Sequence, residues 1–149
     1  MSTQNRIPAG KLKNVGTSAA VLSELVKRLI EHLGQWCIEK VILSKQPDFI
    51  EKNQIILDAD KVGNIVLRYW KAGDRFSPRG INGSKKLARV MRDLHISADE
   101  RRIWPLVADE NHIYWIAFLR GSNYGLPDKN TKKYLLITLK KENREDEES

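Results

Sequence analysis

The sequence has one cysteine, three histidines and no long apolar run. Cys37 can form neither an internal disulfide nor a cysteine-based zinc site. It stands among apolar residues and reads as a small core residue. His32, His95 and His112 are dispersed, with no metal-ligand spacing to one another or to an acidic cluster. No stretch approaches the roughly 18–20 apolar residues of a membrane span, so no membrane partner is expected. Met1 to Gly16 lacks the apolar segment of a secretory signal, which points to a cytoplasmic protein. Catalytic signatures are missing as well. There is no Gly-x-x-x-x-Gly-Lys-Ser/Thr loop, nucleophile elbow, kinase set or zinc-deaminase pattern. Asp58 and Asp60 close a strand pattern, where acids are ordinary turn residues. No catalytic residue, metal or cofactor is therefore expected in this chain.

What is present is charge of one sign, concentrated in one region. The 149 residues are 41% hydrophobic and 30% charged, with a formal net charge of +7 and a pI near 9.6. That length suits one ordinary domain plus an added helix or tails. Between Lys61 and Arg102 stand eleven Lys/Arg against four acids, an excess of seven that equals that of the whole chain. Such a concentration suits a polyanionic partner; a solvated basic face is the plainer alternative.

Residues 1–17 read as a flexible lead-in. From 18 to about 45, Val21, Leu22, Leu25, Val26, Leu29, Ile30 and Leu33 recur at helical spacing, which predicts a long amphipathic helix. Leu22, Val26, Leu29, Leu33 and Trp36 also trace a four-three alternation, so this helix either packs on the core or makes a homodimer seam. Gly34 weakens it. From Gln54 the pattern turns to strands: Gln54–Leu57, Ile65–Trp70, Leu106–Val107, His112–Leu119 and Tyr134–Leu139. The strand 112–119 is apolar on both faces, with Ile113, Trp115 and Ala117 expected on one and Tyr114, Ile116 and Phe118 on the other. Leu87, Val90, Met91 and Leu94 predict one short helix. Ser97 and Glu100, at capping-box spacing, predict another that Pro105 must end. Residues 140–149 read as a disordered charged tail. The fold expected is α+β: a small mixed sheet with two short helices over 54–139, preceded by the long helix.

The chemistry concentrates at 73–87. Gly83 permits close approach of the backbone or positive φ. Ser84 is expected to cap the helix, with Lys85 and Lys86 in its first turn. Cations there oppose the helix dipole, a conflict that a bound phosphate would resolve. Arg75 and Arg79 could add forked phosphate contacts, and Arg89 extends the basic face. The alternative is that the lysines point into water. Phe76 reads as the apolar anchor of the loop rather than a base-stacking ring.

Taken in order, Asp58-Ala59-Asp60-Lys61, the run from Arg68 through Gly73-Asp74-Arg75-Phe76, Pro78, Gly80, Gly83-Ser84-Lys85-Lys86-Leu87, Asp93, Ile96, Arg101, Pro105-Leu106, Ile113-Tyr114-Trp115 and Arg120 resemble the C-terminal domain of tRNA(Ile)-lysidine synthetase. The resemblance runs from about 54 to 139. It implies a tRNA-holding module, with Arg75, Lys85 and Lys86, and also Arg79, Arg89 and Arg101, toward the tRNA. In that family a separate ATP-pyrophosphatase domain, opening with Ser-Gly-Gly-x-Asp-Ser, attaches lysine to an anticodon cytidine. That loop does not occur in this sequence. Three readings follow: a stand-alone tRNA-binding module in tRNA modification; one subunit of a split lysidine ligase, with ATP used by a partner chain; or an oligomerisation protein working through the 18–43 helix.

Overall fold

The computed structural model describes residues 28–142. Its elements in order are β1 (Arg28–Leu33), β2 (Trp36–Leu43), β3 (Gln54–Asp58), β4 (Val66–Arg68), β5 (Arg75–Phe76), β6 (Lys85–Lys86), α1 (Leu87–Asp93), α2 (Ala98–Arg101), β7 (Leu106–Ala108), β8 (Ile113–Ile116), β9 (Arg120–Gly121) and β10 (Tyr134–Lys141). The two short helices stand where the apolar stripe and the capping box place them. Ser97 and Glu100 exchange both bonds of that box.

The single mixed sheet is replaced by two four-stranded sheets and a two-stranded ribbon. The first sheet runs β1-β2-β10-β3 and the second β4-β7-β8-β9, and every pairing is antiparallel. Their inner faces share one core, built by Ile38, Ile55, Leu57, Leu135 and Ile137 from the first and Leu67, Val107 and Trp115 from the second. The outer face of the second sheet carries the helices: Leu106, Ala108, Ile113 and Ile116 pack with Phe76, Leu87, Val90, Met91 and Ile96. The middle sheet is thus covered on both sides, which explains why β7 and β8 are buried throughout.

The helix expected over 18–45 is overturned where it can be seen. Residues 28–43 form a β-hairpin, with Leu33 opposite Trp36 across Gly34-Gln35. Gly34 has φ +59, the backbone state a two-residue hairpin turn requires at its first central position. The part from 18 to 27 lies outside the described residues. Leu29, Leu33 and Trp36 therefore form no helical seam. Lys40 hid the strand alternation. It sits on the inward face, 5% exposed. Its ammonium donates to Glu31 Oε2 and to the Ile65 carbonyl, both at 2.7 Å. A buried lysine satisfied in this way looks like a polar break in the one-dimensional pattern.

Two further corrections concern β8 and β10. A register shift between Val107 and Ala108 puts Tyr114 and Trp115 on the inter-sheet side and Ile113 and Ile116 on the helix side. An extra residue in one strand reverses the parity that strict alternation predicts. β10 also continues through Lys141, two residues into the expected disordered tail, because β2 offers it partners as far as Trp36.

Candidate nucleic-acid interface

Three contacts build the basic segment. Asp74 closes the loop after β4, where its carboxylate accepts both guanidinium arms of Arg68, at 2.9 and 3.1 Å, and the Lys71 N–H at 2.8 Å. Partial burial pushes this carboxyl up, but the Arg68 and Lys71 bonds and charges outweigh it and hold it below the usual carboxylate range. The Asp74 carbonyl then accepts the N–H of Leu87, tying the loop to the start of α1. Phe76, 2% exposed, plugs into the helix-side core, as the anchor reading expects.

Alternation along β5 turns Arg75 outward when Phe76 turns in. The ribbon places Arg75 opposite Lys86 and Phe76 opposite Lys85. The helix does not begin at Ser84. Lys86 is its N-cap, in extended conformation and with no side-chain cap bond, and the first helical residue is Leu87. Lys85 and Lys86 are ribbon residues rather than first-turn residues, so the clash with the helix dipole does not arise as expected. Ser84 orients Arg75 instead of capping the helix. Its Oγ accepts from Arg75 Nε at 2.9 Å and its carbonyl from Arg75 Nη2 at 3.1 Å. Two bonds fix the direction of an exposed guanidinium that would otherwise be mobile. Gly83, at φ +84, makes the turn that returns Ser84 to Arg75.

Arg75, Lys85, Lys86 and Arg89 line one open concavity of about 260 Å³. Among the described residues none of these four cations has an acidic partner, whereas Lys40, Lys61, Arg68 and Lys140 are each paired with a carboxylate. Arg79 and Arg101 are directed elsewhere. The Arg79 guanidinium lies over Gly121, where an added Cβ would come within 2.8 Å of it. Arg101 stacks over the Trp70 ring at 4.7 Å, with its buried Nε unpartnered.

Other residues shape the site that the sequence did not single out. Asn123 holds the 78–81 loop, donating to the carbonyls of Pro78 and Ile81 and accepting from Gly80 N–H. A second concavity of about 210 Å³ shares Arg75 with the first and is lined also by Ser84, Asn111, His112 and Tyr124. Asp109 organises that side. Its carboxylate accepts from the Tyr114 hydroxyl at 2.6 Å and from the N–H groups of Gly63, Asn111 and His112. Burial raises its pKa, but these four donors win and bring it to about 2. Burial and the same carboxylate push the Tyr114 hydroxyl well up. The turn signal at Asp109-Glu110-Asn111 is visible in the sequence; its position against Arg75 is not.

Residues 65–137 match the family model described as TilS substrate C-terminal domain. The chain is 40% identical over 115 residues to the tRNA(Ile)-lysidine synthase of Caldanaerobacter subterraneus subsp. tengcongensis, covering 76% of this chain and 25% of that protein. It is 40% identical over 92 residues to that of Clostridium acetobutylicum, covering 61% and 20%. The chain thus spans a fifth to a quarter of the length of these relatives. A solved TilS C-terminal domain superposes with a TM-score of 0.66 at 24% identity, covering 77% of this chain and 92% of the other, and so shares the fold. Residues 65–137, which hold the basic ribbon and both helices, are thus similar to the substrate C-terminal domain of tRNA(Ile)-lysidine synthase.

Proposed function

We propose that this chain binds tRNA by itself, with the backbone phosphates lying in the concavity of Arg75, Lys85, Lys86 and Arg89. The observation that carries this reading is the set of four cations gathered on one surface with no acid to neutralise them among the described residues. Charged side chains of one sign repel when brought together, and a polyanion relieves that repulsion while releasing its own counterions. Arg75 is already oriented by Ser84, so less side-chain freedom is lost on binding. Contacts of this kind position a nucleic acid by its backbone and shape rather than by its sequence. Under this reading the chain works in tRNA modification, and ATP-dependent lysine attachment belongs to a partner that supplies the ATP-pyrophosphatase domain.

The test is a binding titration with total tRNA. The double variant Lys85→Glu/Lys86→Glu is expected to bind at least about tenfold more weakly than the parent at about 100 mM salt. Its unfolding midpoint should change little, because both side chains are exposed. Equal affinity for the two proteins would remove these lysines from the interface and the proposal with them.

A further inference from the structure

We propose that the second concavity, beside the cationic one, is a subsite for a single unpaired nucleobase. This rests on the phosphate reading above, and its own evidence is the chemistry of the lining. His112 and Tyr124 stack face to face, with ring centroids 3.8 Å apart and planes 24° from parallel. Tyr124 is 39% exposed, so the pair is a surface platform rather than core packing. Around it stand groups able to read the edge of a base. Neither imidazole nitrogen of His112 nor the side-chain amide of Asn111 has a hydrogen-bond partner among the described residues. The Ser84 hydroxyl accepts from Arg75 and keeps its own proton free to donate.

Size and position narrow the occupant. A volume of about 210 Å³ is below the roughly 300–1,000 Å³ of sites for drug-sized ligands, and suits one flat ring system. Arg75 lines both concavities. A nucleotide whose phosphate meets Arg75 and the lysines would thus direct its base to the aromatic pair. Bases inside a double helix have their faces covered by their neighbours, so the ligand must be unpaired, at a strand end or in a loop. Aromatic faces accept any base, and the polar edge groups of Asn111, His112 and Ser84 would supply what selectivity there is.

The experiment uses two RNA hairpins of the same stem, one blunt and one with a single unpaired 3′ nucleotide, titrated against the full chain. The parent is expected to prefer the overhang by about tenfold, the order of one base stacked on an aromatic side chain. Tyr124→Leu and, separately, His112→Ala are expected to lose that preference while still binding the blunt hairpin like the parent. The His112 variant guards against a folding defect specific to the tyrosine. Equal binding of both hairpins by the parent would overturn the base subsite and leave the phosphate reading standing. A preference that survives in both variants would also overturn it. Failure of the parent to bind either hairpin would overturn both.

Discussion

Asp109 illustrates how much one side chain can organise. Four donors converge on its carboxylate, which closes the turn before β8 and holds the buried Tyr114 hydroxyl. Its folded-state pKa of about 2 lies below the unfolded value near 3.9, so folding favours the ionised form. The stabilisation is complete above about pH 5 and is lost as pH falls through 4 toward 2, and it amounts to roughly 2 kcal/mol. Asp109→Asn is expected to lower stability in urea by about that much or more at pH 7, since an amide nitrogen would also face donors. At pH 2.5 the gap between parent and variant should shrink. A constant gap at both pH values would show that the carboxylate's charge is not the source. Asp74 shows the same economy, since the acid of the Gly-Asp-Arg-Phe run ties Arg68, Lys71 and the start of α1 together. Its presence in a basic motif reads as anomalous until those partners are seen.

At the scale of elements, the β1-β2 hairpin turns on Gly34. A Cβ there would lie 2.6 Å from the Tyr69 hydroxyl oxygen, and φ is +59. Gly34→Val combines a left-handed backbone in a branched residue, which costs on the order of 1–2 kcal/mol, with that overlap. We expect a fall of about 2 kcal/mol or more, read from the urea midpoint. An unchanged midpoint would mean that the turn is not built as described. The hairpin also shows why helical spacing misled. Leu29 and Ile30 are exposed on β1 at 61% and 54%, and Lys40 is buried. An edge strand with outward apolar residues, followed by an inner strand with an inward lysine, reads like a helix stripe in one dimension. The helices that were legible, α1 and α2, have what periodicity and capping need: a complete apolar stripe and a reciprocal cap.

For the molecule as a whole, net charge sets the behaviour toward a polyanion. If the four cations of the concavity each neutralise one phosphate, log affinity for tRNA should fall against log salt with a slope of about −3. Arg89→Ala should flatten that slope by about one. A slope near zero in the parent would show that binding is not electrostatic.

What the sequence determined by itself is chemistry that depends on residue type and near neighbours. The concentrated charge, the two short helices, five of the ten described strands and the likeness over 65–137 could all be read from it. Of the eight residues it nominated, Arg75, Lys85, Lys86 and Arg89 line one concavity, where a ribbon and not a helix start presents the lysines. Tertiary structure decided what depends on partners distant in sequence. It made a hairpin of 28–43 because β10, about a hundred residues later, supplies the pairing edge. It drew Arg79 onto Gly121 and Arg101 onto Trp70, and brought His112 and Tyr124 beside Arg75. Pairing edges, buried ion pairs and shared pockets are properties of two segments at once, and no periodicity within either segment encodes them.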